Sequence, residues 1–130
     1  MAEETTTKED ALEDQSSLNE EEAMKRVCTH SSGNHAQAVA YAAAKRNIPA
    51  YIVMPENAPK VKLEAVEGYN AKITLCEPTL KARRDTLDEI AKRTGARIVH
   101  PFNDPKVIAG QGTAALELIE EVKELDAICA

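Results

Sequence analysis

The chain is 130 residues long, 43% hydrophobic and only 3% aromatic, with no Trp. That is enough for one domain with an aliphatic core. Net charge is −6, but nine acids against one Lys fall in residues 1–24, leaving residues 25–130 at +2. This near-neutral body argues against a nucleic-acid surface. No apolar run is long enough to span a bilayer and no signal peptide is evident, so no membrane partner is expected.

The leader, residues 1–24, is acidic and rich in Thr, Ser and Glu. It buries too little apolar surface to offset chain entropy and reads as disordered. Within it, Ser17-Leu18-Asn19-Glu20 could open a short helix as a capping box. Arg26-Val27-Cys28-Thr29 then reads as the end of a buried strand, and residues 35–46 as an Ala-rich helix. Between them lies Ser31-Ser32-Gly33-Asn34. Gly33 permits a tight turn or the close approach of a ligand. Ser32 and Asn34 suit the orphan N–H groups at the helix start. A strand, a small-residue loop and a helix N-terminus together suit a carboxylate or a phosphate. Simple capping without a ligand explains the same residues.

The pattern then alternates. A strand at 50–53 leads through Pro55 to a helix at 59–67, with Pro59 at its first position and Gly68 as C-cap. A strand at 72–75 is followed by Glu77-Pro78-Thr79 as turn and cap. A helix at 80–93 places Leu87, Ile90 and Ala91 on one face and ends at Gly95. A strand at 97–99 completes four strands separated by helices. This predicts an α/β fold: a parallel four-stranded sheet in three layers, with helices on both faces and right-handed crossovers. His100-Pro101-Phe102-Asn103-Asp104-Pro105 breaks the rhythm. Gly110-Gln111-Gly112-Thr113 is expected to open a helix to about Glu124, with Leu116, Ile119 and Val122 toward a core. Leu125 to Cys129 looks like the start of a strand. Cys28, Cys76 and Cys129 are far apart with no CxxC spacing, and read as free buried thiols in a reducing compartment, the cytoplasm.

Ser31-Ser32-Gly33-Asn34-His35 with Gln37 resembles the asparagine loop of fold-type II pyridoxal-phosphate enzymes, the tryptophan-synthase-β-like group. It is most similar to the serine racemase and serine/threonine dehydratase family. The likeness continues collinearly through Ile48–Pro55, Ala58-Pro59-Lys60, Cys76–Thr79, His100–Asp104, Ile108–Thr113 and Leu125–Ile128. It implies three regions: the leader at 1–24, a small α/β domain at 25–99, and the start of a large cofactor domain at 100–130. It also implies racemisation and β-elimination of serine, with threonine as an alternative substrate.

Such an enzyme needs a Lys to hold pyridoxal 5′-phosphate as a Schiff base. The family carries it in a Ser-Phe-Lys-type motif upstream of the loop. Lys8 and Lys25 match no such motif, and no Gly-rich phosphate loop follows residue 125. The chain therefore reads as a partial one, inactive alone. By resemblance, Ser31, Ser32, Asn34 and His35 hold the substrate carboxylate and Asn34 also reaches the cofactor ring. Ser32 is the second acid/base, since racemisation needs a proton donor on each face of a planar carbanion. Gln37, Lys62 and Tyr69 match nucleotide-contacting positions, so ATP and Mg are possible in the full-length family, as is a homodimer. Asn70 stands where the family usually has Gly, and tolerates positive φ.

Rival readings are weaker. Around Ser32 a hydrolase elbow would need Gly where His30 and Asn34 stand. His30, His35 and His100 lack metal-ligand spacing, so no metal site is expected, and no GK[ST] loop is present. The rival from another class is a non-catalytic, truncated racemase-like interaction module.

Overall fold

The computed structural model describes residues 26–129; the leader and its capping box lie outside them. The described residues fall into two compact units, 26–101 and 102–129.

In the first unit, strands β1 (Val27–His30), β2 (Ala50–Pro55), β3 (Lys72–Cys76) and β4 (Arg97–Ile98) alternate with helices α1 (Asn34–Lys45), α2 (Lys60–Glu67) and α3 (Leu80–Thr94). The sheet order is β3-β2-β1-β4 and every pairing is parallel. The α/β fold expected from sequence is thus the one observed. β1 is buried along its whole length, and β2 almost so, because central strands of a parallel sheet are covered on both faces.

The pleat sorts their side chains. Val27, Ile52 and Met54 join Ala36, Val39, Ala40 and Val66 of α1 and α2 in one core. Cys28 and Val53 point the other way, onto Leu87 and Ile90 of α3. Ala91 completes the expected apolar face of α3 as a partly buried neighbour. The alanines of α1 keep its buried face flat, so the helix backbone lies close on the sheet.

Local signals account for most boundaries. The Thr79 hydroxyl accepts the Ala82 N–H at 3.1 Å at the start of α3. Gly95 ends that helix at φ +70°, the left-handed conformation that glycine adopts freely. Gly68 occupies the C-cap of α2 but stays right-handed; the chain reverses instead at Asn70, φ +59°, as its tolerance of positive φ allows.

The second unit is built on one helix, α4 (Pro105–Glu121), and departs from expectation in three ways. It begins at Pro105, with Gly110–Thr113 inside it, because the Asp104 side chain accepts the Lys106 N–H at 2.9 Å and Pro105 has a preset φ. Ile119 and Val122 are exposed rather than core-facing, since the unit's described residues offer no second element to cover them. Leu125–Cys129 forms no strand: the sheet has four strands, all earlier in the chain, and an extended segment becomes a strand only by pairing. All three cysteines are free, but only Cys28 is buried and Cys129 is exposed, because the strand expected to bury it is absent. Burial, and Asp88 after it, push the Cys28 thiol up to about 11, so it stays protonated.

Candidate active site at the carboxyl ends of β1 and β4

The chain steps outward from β1 to β2 and β3, then returns to the far side of β1 as β4. Right-handed crossovers therefore place α1 and α2 on one face and α3 on the other. The reversal opens a crevice beyond the carboxyl ends of β1 and β4, the place where open parallel sheets bind ligands. The Ser31–Asn34 loop leaves β1 at this point.

The loop is tied down at both ends. Ser31 donates its N–H to the Val53 carbonyl at 3.0 Å, and its hydroxyl accepts the Gly33 N–H at 3.2 Å. Gln37 donates to the Gly33 carbonyl at 3.2 Å, the first bond of α1. The expectation that Ser32 or Asn34 caps this helix is not met. The N-cap is Gly33, without a side-chain cap, and Asn34 lies one position inside the helix. Ser32 and Asn34 are exposed instead. The first-turn N–H groups of Asn34, His35 and Ala36 have no partner within the helix, and the dipole adds partial positive charge there.

His35 is anchored below the loop. Its Nε2 lies 3.1 Å from the Thr29 hydroxyl and 3.4 Å from the Val99 carbonyl. Thr29 itself donates to Val99 at 2.6 Å. Thr29 is fully buried and was not among the residues singled out from sequence.

Lys62 reaches toward the loop from the first turn of α2. A Cβ on Gly33 would lie 2.8 Å from its ammonium, a flexible group that can move away. Tyr69 is 37% exposed and packs edge-on against Tyr41 at 5.3 Å, while Lys45 lies 5.4 Å above the Tyr41 ring. Gln37, half-buried, precedes Tyr41 by one turn of α1. Of the three positions matched to a nucleotide, Gln37 and Lys62 thus adjoin Gly33 of the loop, and Tyr69, just past α2, packs on Tyr41 of α1.

Positive charge gathers on the α3 side. His30 is buried and its ring stands 6.5 Å from His100, edge to face. Burial first, then Arg83, His100, Arg84 and His35, hold His30 below its ordinary value and keep it neutral. The Nε of Arg83 is buried with no hydrogen-bond partner, a donor held without an acceptor. Sequence alone gave no reason to single out Arg83, since its neighbours come from other elements. Among the described residues no three His, Cys, Asp or Glu side chains are placed to hold a metal ion. No described helix is long and apolar enough to cross a membrane.

A parallel α/β sheet with a small-residue loop at its switch point is the architecture of a fold-type II pyridoxal-phosphate enzyme domain. Residues 9–130 match the family described as pyridoxal-phosphate dependent enzyme. The chain belongs to that family.

The serine racemase of Dictyostelium discoideum is 52% identical over 112 residues, covering 86% of this chain and 35% of the relative. The beta-hydroxyaspartate dehydratase of Paracoccus denitrificans is 50% identical over 113 residues, covering 87% and 36%. The crystal structure of the Dictyostelium discoideum serine racemase superposes with a TM-score of 0.75 at 49% identity, covering 89% of this chain and 38% of that one. The chain therefore spans about a third of the length of these proteins.

The donors at the crevice fit one side of the family's cofactor. Backbone N–H groups, two hydroxyls and the Asn34 amide suit anionic oxygens.

Proposed function

We propose that this chain forms the substrate-carboxylate side of a pyridoxal-phosphate site that acts on serine, racemising it or eliminating its β-hydroxyl. Threonine is the alternative substrate. The observation that carries the reading is the loop at the switch point: a helix N-terminus without a side-chain cap, with Ser32 and Asn34 exposed beside it. Similarity to serine racemases and to a dehydratase supports the substrate class.

The cofactor supplies an electron sink that lowers the cost of removing the α-proton. The chain's own residues do the rest. The first-turn N–H groups of α1, with Ser31 and His35, bind the carboxylate and fix the α-carbon. Asn34 would donate to an oxygen of the cofactor ring. The Ser32 hydroxyl would give or take the α-proton of the bound amino acid. Gln37, Lys62 and Tyr69 form a nucleotide contact for ATP with Mg along α1 and the start and end of α2. The whole protein is a cytoplasmic homodimer in this reading. Lys8 and Lys25 match no cofactor-holding motif, so the chain by itself turns over no serine.

Incubating the purified chain with pyridoxal phosphate, reducing with borohydride and mapping the peptides tests this. The expected result is no stoichiometric adduct, and neither D-serine nor pyruvate before reduction. One fully labelled lysine with turnover would contradict the assignment, and would place the complete chemistry within the 130 residues.

A further inference from the structure

Two groups approach Nε2 of His35, the Thr29 hydroxyl and the Val99 carbonyl. Thr29 has one hydroxyl proton, and the Val99 carbonyl can only accept. At 2.6 Å that proton is committed to Val99. Toward His35, 3.1 Å away, the Thr29 oxygen can then only accept. The second group near Nε2, the Val99 carbonyl at 3.4 Å, is also only an acceptor. Both partners demand a proton on Nε2.

The two acceptors come from both strands that border the crevice. Val99 is held on β1 by its own N–H, bonded to the Cys28 carbonyl at 2.9 Å. Thr29 is buried, and its hydroxyl has no solvent to turn to. The first turn of α1 is thus pinned through one imidazole to the β1–β4 seam. β4 pairs with β1 through only two residues, so this side-chain link is a substantial part of what joins them at the carboxyl end.

We infer that Thr29 is a positioning residue: with the Val99 carbonyl it fixes the tautomer and orientation of His35, so that the carboxylate subsite is formed only while β4 is docked on β1. This rests on the reading that the loop binds a carboxylate. The residue acts through His35 and does not itself touch substrate.

The test uses the 15N-labelled full chain with Thr29→Val, which is isosteric, and Thr29→Ser, which keeps the hydroxyl. Long-range 15N–1H spectra report the ring protonation of His35 without any ligand. Wild type and Thr29→Ser are expected to show a fully protonated Nε2. Thr29→Val is expected to show both tautomers averaging, with amide shifts at 34–36. N-(phosphopyridoxyl)-L-serine, the stable conjugate of cofactor and substrate, should bind Thr29→Val about three- to tenfold more weakly, the size of one net hydrogen bond, with Thr29→Ser near wild type. An unchanged ring spectrum in folded Thr29→Val overturns the inference, as does a loss that Thr29→Ser does not restore. If the conjugate does not bind wild type at all, the proposed function fails, while the ring spectra still decide the role of Thr29.

Discussion

α1 and α4 are built from similar residues and end in opposite states. Each combines Ala with branched apolar side chains, Val39 alone in α1 and Val107, Ile108, Leu116, Leu118 and Ile119 in α4. α1 buries Ala36, Val39, Ala40, Ala42 and Ala43 against the sheet. α4 is longer, yet Thr113 is its only buried residue, and Ile108 and Ile119 are each more than half exposed. Capping does not explain the difference, since α4 has the better cap: Asp104 bonds the Lys106 N–H, whereas α1 begins at an uncapped Gly33. Local chemistry decides where a helix starts; burial depends on what packs against it. α1 has β1 and β2 beside it, and its uncapped end is left available at the crevice.

The sharpest way to break this contrast is to empty the α1 core. Ile52→Ala removes a fully buried side chain between β2 and α1. It should cost about 2–5 kcal/mol of stability, read as a lower denaturation midpoint. Acid should act next. His30 is kept neutral in the folded chain and its pKa lies below the ordinary 6.5. Below 6.5 the unfolded chain therefore binds more protons than the folded one, and stability falls as pH drops through that range. Above it this group contributes no slope. Arg83→Met removes the largest charge opposing that proton, so the acid limb should become shallower in a pH series of denaturation curves. Smallest of all, Ile119→Ala on α4 should change stability by no more than about 0.5 kcal/mol, as at other exposed positions. A cost near that of Ile52→Ala would show that α4 is packed as tightly as α1.

Much of the small α/β unit was legible because its signals are local. Thr79 caps α3, Gly95 turns left-handed after it, and Asn70 takes the positive φ its side chain tolerates. α4 was misplaced by reading Gly110 and Gly112 as a boundary. Each glycine costs a helix roughly 1 kcal/mol, and the Asp104-Pro105 start with the Ala/Leu/Glu-rich stretch after Thr113 outweighs them. The site was half legible. The loop and its polar residues could be read directly, but the use of Ser32 and Asn34 could not. Whether they cap the helix or face solvent depends on the backbone turn at Gly33. Thr29 and Arg83 were out of reach for a different reason. The Thr29–Val99 bond spans 70 positions in sequence and exists only because β4 returns beside β1, and strand order is not written in any local pattern.

The central claim is that the Ser31–His35 loop binds the carboxylate of an amino-acid substrate. Titrating the 15N-labelled chain with N-(phosphopyridoxyl)-L-serine while following its amides tests that most directly. With one side of the site present, affinity should be on the order of millimolar. Shifts should concentrate at residues 31–36 and be abolished by replacing both Ser32 and Asn34 with Ala. Shifts scattered over residues 102–129, or none at 31–36 at saturating conjugate, would contradict it.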